Sequence, residues 1–83
     1  YERIDQDTII TNGDIEIDII NEIFKTKIPE GDDYASLNGL LHEKLQDIPQ
    51  EGDKIEIEKL RIVVDKVSKN IPKKIRIEKI NRV

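Results

Sequence analysis

Eighty-three residues carrying a net charge of −4 and no cysteine make one domain near the lower size limit for folding without staples. Disulfides and thiolate metal sites are excluded, in agreement with a reducing, cytosolic setting. Charged residues form 39% of the chain, but the apolar ones recur periodically, which excludes disorder.

The pair Thr8-Ile9-Ile10-Thr11 and Asn12-Gly13 predicts a short strand closed by a turn. After it, Ile17, Ile20, Ile23 and Phe24 fit one helical face, which predicts a helix over 18–25 with Asp18 as its N-cap. Ile28-Pro29-Glu30-Gly31-Asp32-Asp33 reads as a loop. Ser36 then predicts the N-cap of a second helix running to about Asp47, with Leu37, Leu40, Leu41, Leu45 and Ile48 on one arc facing a sheet. Ile48-Pro49-Gln50-Glu51-Gly52-Asp53 is a tight turn, in which proline fixes one φ and glycine permits a positive one.

The remaining residues are β in character. Ile55 and Ile57 alternate with charges, as do Leu60, Ile62 and Val64, and Lys74 to Ile80 forms a third run. Turns near Glu58-Lys59 and Ser68-Lys69-Asn70 predict an antiparallel meander. The order β-α-α-β-β-β gives an α+β fold with both helices on one face of a mainly antiparallel sheet. Isoleucine dominates the expected core and favours strands.

Apolar runs such as Ile62-Val63-Val64 fall far short of the roughly 20 residues that cross a bilayer. No signal-peptide pattern is present. The chain begins at Tyr1, not methionine, and is read as a piece of a longer protein.

Charge is uneven along the chain. Residues 1–53 hold 14 Asp and Glu against 4 Lys and Arg, whereas residues 54–83 hold 4 against 10. Two oppositely charged halves packed together account for this more simply than a nucleic-acid face, because the overall balance is acidic. The basic residues Lys69, Lys73, Lys74, Arg76, Lys79 and Arg82 form the best candidate binding surface. No aromatic residue interleaves them as a stacking platform for bases, so they are read as the outward face of strands.

Catalytic readings fail on geometry. Only Ser36 and Ser68 could be nucleophiles and His42 the base. Six residues of helix turn Ser36 and His42 roughly 240° apart. The glycines are too dispersed to form a phosphate cradle. Glu30, Asp32 and Asp33 could hold a hard cation but lack EF-hand spacing, and such loops are commonly just solvated. Gly39 stands opposite the leucine arc, where alanine would be more stable by about 1 kcal/mol. Its presence points to a close approach, most simply by internal packing; the N–H groups of that helix start could receive an anion, but Ser36 or Asp33 accounts for those donors more simply.

Tyr34-Ala35-Ser36-Leu37-Asn38-Gly39-Leu40-Leu41, followed by Ile48-Pro49-Gln50-Glu51-Gly52-Asp53, resembles the transporter-associated domain of the CorC/HlyC family. Asn12-Gly13 matches the glycine after the family's first strand, Asn21-Glu22 also agrees, and Arg76-Ile77-Glu78-Lys79-Ile80 looks like its closing strand. Ser36 replaces the usual threonine and keeps the capping oxygen. The segment Ser68–Lys73, with Pro72, reads as longer than the usual loop.

The resemblance implies a cytoplasmic C-terminal domain spanning 1–83. In that family it commonly follows a pair of CBS domains in magnesium and cobalt efflux or hemolysin-like proteins, many with a membrane region. It also implies a fold similar to part of the FAD-binding domain of vanillyl-alcohol-oxidase-type enzymes, without flavin chemistry, since no cofactor motif appears. The expected role is non-catalytic: regulation of an ion transporter by docking or dimerising, with no cofactor, no nucleic acid and no membrane insertion of this segment. A sensor of a nucleotide or divalent cation is the alternative. Gly13, Tyr34, Ser36, Gly39, Pro49, Gly52 and Asp53 are read as the structural signature.

Overall fold

A computed structural model describes residues 1–29 and 35–80 of the chain. The elements are β1 (Glu2–Asp5), β2 (Thr8–Thr11), α1 (Ile17–Phe24), α2 (Leu37–Leu45), β3 (Lys54–Ile57), β4 (Leu60–Ser68) and β5 (Ile71–Lys79). The strands form one antiparallel sheet in the order β1-β2-β5-β4-β3. This is the expected α+β meander, with an added strand at one edge.

Alternation builds the core. Ile9 pairs with Ile77, Ile77 with Ile62, and Ile62 with Ile55, so one row of isoleucines crosses four strands. Ile9, Ile62 and Ile77 are fully buried beneath Ile17, Ile20, Leu37, Leu40 and Leu41 of the helices. Burial of each such side chain contributes about 1.5–3 kcal/mol, and this apolar layer fixes the helices to one face of the sheet.

The β3–β4 and β4–β5 hairpins turn on two-residue links in which both residues are left-handed. The φ values are 52° and 65° at Glu58-Lys59, and 53° and 66° at Lys69-Asn70. That geometry matches the twist of paired strands.

Four expectations are corrected. β1 was not anticipated: its four residues are all exposed, so it has no burial pattern. It is held by pairing to β2 and by a turn in which Asp5 Oδ1 accepts from Asp7 N at 2.8 Å. Asp18 does not cap α1. The N-cap position belongs to Glu16, with no side-chain hydrogen bond, and Asp18 lies in the first turn, where its charge favours the helix dipole. Ile48 is off the arc because α2 ends at Leu45, with Gln46 left-handed at φ 55°, and Ile48 is 44% exposed.

The fourth correction concerns Ser68–Lys73, which is no long loop: β5 begins at Ile71 and includes Pro72. Proline is tolerated there because β2 reaches only Ile75, which leaves one side of Pro72 without a strand neighbour.

Candidate functional site

The starts of the two helices terminate each other. Glu16 and Ser36 form an isolated antiparallel bridge. Ile17 N, at the start of α1, donates to Ala35 O at 2.8 Å, and Leu37 N, at the start of α2, donates to Ile15 O at 2.9 Å. Asn38 N donates to Gly13 O at 2.9 Å, Gly39 N to Ser36 Oγ at 3.4 Å, and Leu40 N to Ser36 O at 3.1 Å. The amides that would have cradled an anion at the start of α2 are therefore engaged within the protein. Ser36 satisfies one of these donors, as its sequence position suggests, and the anion alternative is not supported at this helix.

Gly13 is buried against α2. A Cβ there would run into the Asn38 carboxamide, so a larger residue would require that side chain to move. Asn38 Oδ1 is itself buried without a hydrogen-bond partner. Gly39 is half-buried, and its N–H is bonded to the Ser36 hydroxyl.

The turn before β3 is built on different physics. Gly52 has φ 92° with open space around it, so conformation, not crowding, calls for glycine. Gly52 N donates to Val64 O at 2.8 Å, and Val64 N donates to Asp53 O at 2.8 Å, which ties the turn to β4. Asp53 Oδ2 accepts from Gln50 N at 2.8 Å and closes it. Pro49 is buried at its base. Asp47, Ile48, Pro49, Gln50 and Glu51, with Val67 and Asn70 of the neighbouring hairpin, line a shallow groove of about 480 Å³.

Glu30, Asp32, Asp33 and Tyr34 lie outside the described residues. Among the described residues, no group of three or more His, Cys, Asp or Glu side chains is placed to hold a metal. No described helix is long and apolar enough to cross a membrane. His42 and Ser68 are exposed on separate elements, and the Ser36 hydroxyl is occupied by Gly39 N.

Of the basic residues, Arg76 lies between Ile10 and Val63 on the open sheet face. Its Nε is 2.9 Å from Glu78 Oε1, a close ion pair whose N–H is not aligned for a hydrogen bond. Arg61 pairs with Glu56 at 3.3 Å on the same face. Lys69, Lys73, Lys74 and Lys79 are exposed, and Arg82 lies outside the described residues. Sequence reasoning passed over Lys66, which the sheet register places directly opposite Lys74.

Comparison with known proteins gives this architecture its family. The Transporter associated domain model, CorC_HlyC, matches residues 2–81. A Rickettsia bellii protein described as "Possible hemolysin C" is 33% identical over 58 residues, covering 69% of this chain and 19% of that protein. The chain thus spans about a fifth of the length of the curated relatives it matches.

Among solved structures, a functionally unknown conserved protein from Haemophilus influenzae superposes with TM-score 0.74 at 30% identity, covering 88% of this chain and 89% of the other. A region described as associated with a Mg2+ and Co2+ transporter (CorC), from Neisseria meningitidis, gives TM-score 0.84 at 19% identity over 95% and 96% of the two chains. A CorC_HlyC domain from a Xylella fastidiosa hemolysin, in complex with Mg2+ and Mn2+, gives TM-score 0.81 at 18% identity over 98% and 96%. With its sheet, its helix starts and nearly its whole length accounted for, the chain belongs to the CorC_HlyC transporter-associated domain family.

Proposed function

We propose that this chain is a non-catalytic, cytoplasmic accessory domain, at the C-terminal end of a longer ion-transport protein of the magnesium and cobalt efflux type. The observation that carries this reading is the family match over residues 2–81, joined to a relative of which the matched segment makes up 19%. A domain of this kind regulates by docking: it contacts other parts of its chain, such as a CBS pair or the membrane region, or a second copy of itself. To shift the transporter between states, it must bind one state better than the other. Gly13, Tyr34, Ser36, Gly39, Pro49, Gly52 and Asp53 serve as structural signature in this reading.

The test is Mg2+ efflux by the parent protein, in proteoliposomes, with and without these 83 residues. Transport that persists but loses or changes its dependence on internal Mg2+ supports regulation. Identical flux and identical Mg2+ dependence would overturn it.

The Xylella relative solved with Mg2+ and Mn2+ favours one second reading, a divalent-cation sensor. Glu30, Asp32 and Asp33 are its candidate ligands. A rise in melting temperature with saturating Mg2+ or Mn2+ would support it, and an unmoved transition would sink it.

A further inference from the structure

The β4–β5 hairpin projects beyond the strands that flank it. β2 ends with Thr11 opposite Ile75, and β3 begins with Lys54 opposite Val63. The segment from Asp65 to Lys74 is therefore a two-stranded ribbon.

Within the sheet, Ile62 and Val64 of β4 and Ile75 and Ile77 of β5 are buried by regular alternation. That alternation would carry Lys66 and Lys73 to the helix side and Val67 and Pro72 to solvent. The ladder instead slips twice: Val64 faces Ile75, Lys66 faces Lys74, and Val67 faces Pro72. The slips cancel in register but reverse the ribbon's faces. Val67 packs against the core and Pro72 is buried, while Lys66 and Lys73 are exposed with Lys74.

Three lysines therefore share the solvent side of one ribbon, two of them directly opposed, an arrangement that costs stability. None has an ion-pair partner among the described residues. Lys69 stands at the turn beside Ile71, which is 47% exposed. Protection of a strand edge calls for a lysine, not for an opposed pair and a third beside it.

We propose that this ribbon is a docking surface for an anionic lipid bilayer. The lysines neutralise headgroups and Ile71 rests at the headgroup boundary, with no element crossing the membrane. Lysine is a point charge suited to a diffuse anionic layer, where bidentate recognition would call for arginine. The face carries no aromatic side chain to stack on bases. A twofold contact through the same face would bring each copy's lysines onto the other's. The reading above supplies only the parent's place in a membrane. Vesicle binding is measured on the 83-residue chain alone, so its failure and a failed transport assay are separate results.

The experiment is co-sedimentation with vesicles of phosphatidylcholine, with or without phosphatidylglycerol, at low and high salt. Binding is expected only with phosphatidylglycerol and should fade as salt screens it. The triple variant Lys66→Gln, Lys73→Gln, Lys74→Gln should lower partitioning about 100-fold, at about fivefold per lysine. Lys25→Gln, Lys27→Gln, Lys59→Gln, equal in charge change, should lower it far less. Ile71→Ser should weaken binding severalfold without changing its salt dependence. No binding to anionic vesicles, equal loss in both triple variants, or capture by DNA or polyglutamate in preference to vesicles would overturn the proposal. Circular dichroism establishes that each variant is folded, and salt titration of the unaltered chain tests the idea without any variant.

Discussion

The Asn21 side chain holds both backbone polar groups of Ile28: Oδ1 accepts from Ile28 N at 2.8 Å, and Nδ2 donates to Ile28 O at 2.9 Å. Thr26 Oγ1 adds a third bond to Oδ1 at 2.8 Å. The chain leaves α1 through Lys25, left-handed at φ 57°, and must return Ile28 to the core, where it is 3% exposed. No described strand pairs with this stretch, so one carboxamide satisfies groups that would otherwise be buried unpaired.

Asn21→Ala is therefore expected to destabilise the fold by about 2–4 kcal/mol, since it strands two buried backbone groups at once. Thr26→Val removes one hydroxyl bond and should cost about 1 kcal/mol. Urea denaturation of both variants checks the ranking. Equal small losses would show that Ile28 finds other partners.

A second prediction concerns Gly13 and Asn38. Gly13→Ala puts a methyl where the Asn38 carboxamide lies, and overpacking of this kind costs about 1–3 kcal/mol. Asn38→Ala removes the obstacle together with a buried oxygen that has no partner, so alone it should be close to neutral. The double variant should recover most of the loss, giving a coupling of at least about 1 kcal/mol in a double-mutant cycle. Additive losses would mean that the clash is not the reason for the glycine.

Gly52 offers the contrasting case. A Cβ meets nothing within 4 Å, but φ is 92°. Gly52→Ala should cost about 1–3 kcal/mol through backbone strain alone, and no neighbouring substitution should rescue it. A fall in the urea midpoint without a change in slope is the expected signature.

These cases show what the residues made legible. Ile75 and Ile77 alternate with charged neighbours and were readable as core, as were Ile9 and Ile62 within short β-branched runs. Ser36 as a cap and Gly52 as a turn residue could be named because each acts within a few positions of itself. The cap on α1 could not, because its partner is the carbonyl of Ala35, far along the chain. β1 was invisible for want of a buried side. Among the site residues, the engagement of Gly13 with Asn38 depends on packing across two segments. The opposition of Lys66 and Lys74 depends on a slip that a sequence pattern does not display. Glu30, Asp32, Asp33 and Tyr34 lie outside the described residues, so their reading rests on the sequence.

The lysine ribbon yields a last prediction in which stability and binding move in opposite directions. Lys66 and Lys74 face each other across β4 and β5, and like charges so placed are destabilising, whereas opposite charges contribute about 0.2–1 kcal/mol. Lys74→Glu converts the repulsive pair into an attractive one. It should raise the melting temperature by a few degrees, at about 4–8 °C per kcal/mol for a chain of this size. The same change should weaken binding to anionic vesicles by more than loss of one lysine alone, since it adds a negative charge to the docking face. Lys74→Gln is the intermediate: a smaller gain in stability and a smaller loss in binding. A ribbon kept only for folding would show the stability gain with vesicle binding unmoved. If Lys74→Glu lowers the melting temperature, the two lysines are not in repulsive contact, and the argument from their opposition falls.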